Sequence, residues 1–369
     1  MRLKPFKLER YFAKHEFAAP YLLCASDCES LSVGDLFDFE PGARKQFECL
    51  WLGYTETLGD PQLRGIIASL YENMEADDIL VHSGAEEAIF NFMNVTLDPG
   101  DHIIVHSPCY QSLSEVARSI GARVSDWHGN PGRGWELDLA DLKSLLTNRT
   151  KVVVVNFPHN PTGFLPEDDF VRELSALSDR HGFLIFSDEV YRGLELDPKN
   201  RLLAFADINE RALSLGVMSK TYGLAGLRIG WIATRNHNLF TELAAFKDYT
   251  TICNSAASEF LAALALRNAE MIVARNLQII GANLERLDGF FDSHRDWFTW
   301  KRPKAGSIAF PLLRKGSVDA FCADVVGTAG VLLLPGTLYG GAYNAFRIGF
   351  GRKNLPEALG RFDAYLKQK

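Results

Sequence analysis

Between Leu80 and Met218, short runs of β-branched and aliphatic residues alternate with segments of helical period. That alternation constrains the fold more than any other feature, because it is the pattern of a parallel sheet covered by crossover helices. The predicted strands lie at 79–82, 103–106, 152–157, 183–187 and 213–218. One predicted crossover helix, 166–181, has Pro166 and three acids crowding its first turn, a face made by Phe170, Leu174 and Leu177, and Gly182 as its stop.

After Gly230 the texture changes to long helical stretches, about 237–267 and 268–291, then short strands and an amphipathic helix near 356–368. The expected fold class is therefore α/β, with a large domain over 36–270 and a smaller α+β domain made of 1–35 and 271–369. The two ends are grouped because chain termini tend to lie close together.

Composition narrows the function. A chain of 369 residues with 47% hydrophobic and 23% charged side chains can bury a sizeable core. Its net charge of −7 argues against a partner bound through phosphate neutralisation, so no nucleic acid is expected. Six cysteines without a C-x-x-C pair predict a reducing, cytoplasmic setting. The first residues lack the apolar stretch of a secretory signal, and no apolar run approaches the roughly 18 residues that span a membrane.

Open α/β sheets bind ligands beyond the carboxyl ends of their strands, so the residues following each run carry the functional information. The first run ends in His82-Ser83-Gly84-Ala85-Glu86 and opens a helix, a place where backbone N–H groups can hold phosphate. The third leads to His159-Asn160-Pro161-Thr162-Gly163, a tight turn that fixes Asn160. The fourth ends in Asp188-Glu189-Val190-Tyr191, and the fifth in Ser219-Lys220 with Arg228 beyond. Each element has a bland reading alone: a turn, a helix cap, a solvated lysine. Together they suit pyridoxal 5′-phosphate, whose aldehyde needs a lysine, whose ring nitrogen needs an acid and whose phosphate needs an anion site.

The chain resembles the class I/II aminotransferases, the fold-type-I pyridoxal-phosphate enzymes. The resemblance runs through GYTETLGDPQLR (53–64), HSGAEEAIF (82–90), PGDHIIVHSPCY (99–110), NFPHNPTG (156–163), SDEVY (187–191), SKTYGLAGLRIGW (219–231) and FRIGFG (346–351). It implies that Lys220 forms the Schiff base and then moves the proton, that Asp188 pairs with the ring nitrogen, and that Asn160 and Tyr191 bond the ring oxygen. Tyr110 is implied to stack on the ring. Backbone N–H groups of Ala85 and Glu86, with Ser219 and Arg228, are implied to hold the phosphate. Arg347, with Asn160 beside it, is implied to clamp the substrate carboxylate. Tyr54 matches the tyrosine that reaches the neighbouring subunit, which implies a homodimer.

Two departures stand out. Val217, three residues before Lys220, occupies a stretch where the family often aims a hydroxyl at the phosphate, so weaker cofactor retention is expected. The segment Ser26-Asp27-Cys28-Glu29-Ser30 is unusual where the family places its substrate-covering loop. His102 and His106 are not expected to bind metal, because a spacing of four on a strand is not a helical pair. Cys109 reads as a buried thiol, GLAGLRIG lacks the dinucleotide spacing, and Trp297, Phe298 and Trp300 read as core or domain interface. The expected activity is amino transfer between an amino acid and a 2-oxo acid. The alternatives are a lyase or cyclase of the capreomycidine-synthase type, and a non-catalytic sensor.

Overall fold

The computed structural model describes residues 2–369. Its centre is a seven-stranded sheet: β1 (Ile79–His82), β2 (His102–Ser107), β3 (Arg123–His128), β4 (Thr150–Asn156), β5 (Leu184–Asp188), β6 (Ala212–Val217) and β7 (Gly230–Ala233). The spatial order is β1-β7-β6-β5-β4-β2-β3. All neighbours pair in parallel except β7, which runs antiparallel to both β1 and β6.

The five predicted runs are β1, β2, β4, β5 and β6, with ends displaced by at most two residues. Two strands escaped the pattern. β3 is an edge strand carrying Arg123, Ser125 and Asp126 rather than an aliphatic run, and β7 is four residues long and opens on glycine.

Helices cover both faces of the sheet, which is why its inner strands are largely buried and carry aliphatic runs. In β4, Val152 and Val154 join the core on one face, with Phe92, Phe186 and Leu215, while Val153 and Val155 join the other, with Leu174, Leu177 and Ile185. Each such side chain, fully buried, contributes about 1.5–3 kcal/mol.

The helices used below are α1 (Lys7–His15), α2 (Ala85–Thr96), α3 (Asp168–His181), α4 (His237–Lys247), α5 (Ala256–Arg267), α6 (Ala269–Ser293) and α7 (Leu355–Leu366). α3 starts two residues later than predicted, because Glu167 is extended at its N-cap and leaves Pro166 outside; Gly182, at φ +76°, closes it as expected. The stretch predicted as one helix over 237–267 divides into α4 and α5. The Lys247 amine donates to the carbonyls of Thr57 at 2.9 Å and Ile252 at 3.2 Å, tying the intervening loop inward. Ser255 then caps α5 by accepting from the Ser258 N–H.

The N-terminal segment packs on the C-terminal part of the chain. Tyr21–Leu22 pairs in parallel with Val331–Leu332, and Asp27 forms a two-pronged ion pair with Arg352. This anchoring brings α1 and residues 24–27 over the carboxyl edge of the large sheet. Among the described residues, no helix is long and apolar enough to cross a membrane.

Candidate active site

The parallel strands β2 to β6 deliver their carboxyl ends to one edge of the sheet. Because β7 is antiparallel, Gly230 at its start lies opposite both His82 and Val217, so the loop carrying Arg228 returns to that same edge. A cavity of about 290 Å³ opens there. Nine of the residues singled out from sequence line it: Ala85, Glu86, Tyr110, Asn160, Asp188, Ser219, Lys220, Arg228 and Arg347. Tyr191 is fully buried close to Asp188 and Arg347. Tyr54 is not brought to the cavity and stands 85% exposed.

The Lys220 amine donates to Ser26 Oγ at 2.8 Å. Burial lowers its pKa from the ordinary lysine value, with Asp27 the strongest opposing group. Asp188 ends β5, accepts from the Val190 N–H at 3.2 Å, and is pushed up to about 7 by burial. Asn156, in register with Asp188 on the neighbouring strand, braces both loops. Its amide donates to the Asp188 carbonyl at 2.7 Å, and its Oδ1 accepts from the Asn160 N–H at 2.6 Å.

The Arg347 guanidinium is 2% exposed. Its Nε and Nη2 donate to the Cys24 carbonyl at 3.1 and 2.9 Å, and Nη1 donates to the Tyr339 hydroxyl at 3.0 Å and to Asn160 Oδ1 at 3.4 Å. Tyr339 in turn donates to Asn160 Oδ1 at 3.1 Å. Nε and one N–H of Nη2 are thus committed to the Cys24 carbonyl, and a carboxylate would meet the remaining N–H groups of Nη1 and Nη2 in place of the long contact to Asn160.

An anion cradle lies at the start of α2. Gly84 takes φ +90°, and a Cβ there would sit 2.6 Å from Arg228 Nη2. A Cβ on Gly230 would sit 2.8 Å from Ala85 N and from Gly84 C. Only glycine at both positions allows the backbone and the guanidinium to come this close. Arg228 itself adopts φ +54°, a left-handed conformation that directs its side chain back to the helix start. The free N–H groups of the first turn and the helix dipole add positive potential there. Val217 lines the cavity without a hydroxyl, as its sequence position implied.

Burial also raises the pKa of the Tyr191 hydroxyl, which has no well-formed hydrogen-bond partner. A buried phenol without a partner is costly unless a ligand completes it. The orphaned phenol, the glycine cradle, the buried Asp188 and the Lys220 amine fit pyridoxal phosphate in each of its polar parts.

Ser26, Asn156 and Tyr339 are contacts that motif reading missed. Ser26 sits inside the segment flagged as unusual, whereas Tyr339, in a glycine-flanked loop, carried no signal. His106 stacks on His159 with ring centroids 3.6 Å apart, and His102 bonds Thr150 and Ser125. No cluster of three metal-ligating side chains occurs among the described residues. Cys109 is buried, its thiol pushed up to about 12 by desolvation. Phe298 is core, packed against Phe346 and Phe362.

Comparison with known proteins agrees with this chemistry. Residues 48–362 match the family profile "Aminotransferase class I and II". The chain is 30% identical over 346 residues to capreomycidine synthase of Streptomyces vinaceus, covering 93% of this chain and 88% of that protein. The crystal structure of a PLP-dependent aminotransferase from Streptococcus suis 89-1591 superposes with a TM-score of 0.94 at 29% identity, over 100% of this chain and 99% of that one. The PLP-dependent cyclase OrfR superposes with a TM-score of 0.90 at 28% identity, over 100% and 98% of the two chains. The chain therefore belongs to the class I and II aminotransferase family, fold-type-I proteins whose cofactor is pyridoxal 5′-phosphate.

Proposed function

We propose that this protein is an aminotransferase that moves an amino group between an amino acid and a 2-oxo acid. One observation carries the reading: a partly buried amine, Lys220, and a buried guanidinium, Arg347, share one cavity with Asp188 and the anion cradle. When bound, pyridoxal phosphate supplies an electrophilic carbon and an electron-withdrawing ring.

The chain's own residues do the rest. Arg347 would take the substrate carboxylate and so orient the bonds at the substrate Cα. Lys220 would hold the cofactor at rest and, as a free amine, would take the proton from the substrate Cα. Asp188 would keep a proton at the ring nitrogen, Asn160 and Tyr191 would donate to the ring oxygen, and Tyr110 would pack against the ring. Ala85 and Glu86 N–H groups, Ser219 and Arg228 would hold the phosphate. Tyr54, projecting from its own chain beside exposed Trp51 and Leu52, is assigned to the phosphate site of a second copy, which makes the working unit a homodimer.

A second reading, a lyase or cyclase on the same machinery, is favoured by the similarity to capreomycidine synthase and to a PLP-dependent cyclase. Adding amino acids to the holoenzyme without an oxo acid separates the two. Loss of the visible cofactor band, with one equivalent of oxo acid formed, supports amino transfer. A band that persists while ammonia or a cyclised product accumulates supports the second reading.

A further inference from the structure

The charges of the cavity do not balance once its cations are matched to the groups they serve. Five carboxylates line it (Glu9, Glu16, Asp27, Glu86 and Asp188) against four cations (Lys220, Arg228, Arg347 and Arg352). On the reading proposed above, Lys220 and Asp188 serve the cofactor, Arg228 its phosphate, and Arg347 the substrate carboxylate. Arg352 is the one cation left to meet a second carboxylate, and Asp27 already holds it through both oxygens, at 3.0 and 2.8 Å. Glu86 stands in the first turn of α2, where the helix dipole offsets its charge.

Glu9 and Glu16 remain, and both come from the same roof. They are seven residues apart on α1 and its C-cap, about two turns or roughly 10 Å along the helix axis. Leu8 and Phe12 line the cavity on the same helix, and the Phe12 ring packs against the Arg347 guanidinium at 5.7 Å. The roof is fixed in place. The Lys7 N–H donates to Gln111 Oε1 at 2.9 Å, Gln111 donates to the Pro5 carbonyl at 3.1 Å, and Tyr11 donates to the Leu333 carbonyl at 2.9 Å. Tyr110 donates its phenolic proton to Glu9 Oε1 at 2.8 Å, which orients that carboxylate and leaves its other oxygen available. Neither Glu9 nor Glu16 forms an ion pair among the described residues.

We propose that Glu9 and Glu16 select a substrate amino acid whose side chain is aliphatic near Cα and cationic at its far end, an ammonium or a guanidinium. The stem runs under Leu8 and Phe12 while the carboxylate is held on Arg347, and the distal cation meets the α1 carboxylates. An acidic side chain meets surplus negative charge there, with Arg352 already taken. A neutral one leaves both carboxylates without a partner.

The test rests on the same holoenzyme and on charge-neutral isosteres. The visible cofactor band is titrated with lysine against norleucine, arginine against citrulline, and glutamate. The half-saturating concentration for each cationic member is expected to be lower than that of its neutral partner by at least about tenfold, the worth of one charge-assisted contact. In the Glu9→Gln/Glu16→Gln variant that ratio falls below about threefold, and in the wild type added salt shrinks it as well. Norleucine, citrulline or glutamate saturating at or below the concentration of the cationic amino acids overturns the proposal, as does a ratio that survives both substitutions. The wild-type comparison decides even if the variant folds poorly. A band that responds to no amino acid refutes the functional reading on which this inference rests, and the inference with it; a response to neutral or acidic amino acids alone refutes only the inference.

Discussion

The hydroxyl of Ser26 accepts a hydrogen bond from the amine of Lys220 at 2.8 Å, across 194 residues of sequence. Ser26 is itself held from behind, its carbonyl accepting from Ser307 Oγ at 2.9 Å. The pair aims the amine on which the proposed proton transfer depends. Ser26→Ala is expected to lower kcat by about fivefold, the worth of one hydrogen bond of about 1 kcal/mol, with the amino-acid half-saturation changed by less than about twofold. Ser26→Thr should restore most of the rate. Steady-state kinetics on both variants checks this, and an unchanged kcat in Ser26→Ala contradicts it.

Tyr339 joins the two residues assigned to the substrate carboxylate, accepting from Arg347 and donating to Asn160. Tyr339→Phe removes both bonds while keeping the ring. KM for the amino-acid substrate should rise by roughly fivefold to tenfold with a smaller change in kcat, because the clamp acts on ground state and transition state alike. A fall in kcat with KM unaltered would place Tyr339 in the chemistry instead.

Gly230 leaves no room for a side chain beside the backbone of Gly84 and Ala85. Gly230→Ala must push the start of α2 away from Arg228, and cofactor affinity is expected to fall by about tenfold or more, since the proposed cradle would supply several charge-assisted bonds to phosphate. Fluorescence titration of the cofactor-free protein with pyridoxal phosphate measures it. Binding within twofold of wild type would show that the phosphate sits elsewhere.

Asp188 gives the cofactor-free protein a pH dependence of definite sign. Its folded pKa is about 7, above the roughly 3.9 of an unfolded aspartate. Between those values the folded state binds more protons than the unfolded state, so this group's contribution to stability falls as pH rises through that window and stays low above it. The total reaches up to about 4 kcal/mol. Asp188→Asn abolishes the titration, so its stability relative to wild type should be at least about 2 kcal/mol greater at pH 8 than at pH 5. Denaturant unfolding of both cofactor-free proteins at the two pH values checks the sign; a pH-independent difference contradicts it.

The parallel core was legible because strands buried on both faces carry an unbroken aliphatic run, Val152 to Val155 in β4, which marks them without reference to tertiary structure. β3 and β7 were not, since an edge strand with one solvated face and a four-residue strand paired on both sides draw their stability from neighbours rather than from composition. The loop that separates α4 from α5 was hidden for a similar reason: it depends on Lys247 reaching the Thr57 carbonyl, a contact 190 residues away. At the site, residues tied to strand ends could be read from order alone. Ser26, Tyr339 and the roof carboxylates of α1 could not, because they reach the cavity through packing of the termini that no local pattern encodes.

Lys220 is the residue proposed to carry the cofactor. Borohydride reduction of the holoenzyme, followed by peptide mass spectrometry, tests this most directly. A phosphopyridoxyl adduct is expected on Lys220 alone, lost in Lys220→Ala. An adduct on another lysine, such as Lys247 with its buried amine, or no adduct in a protein that retains bound cofactor, would contradict it.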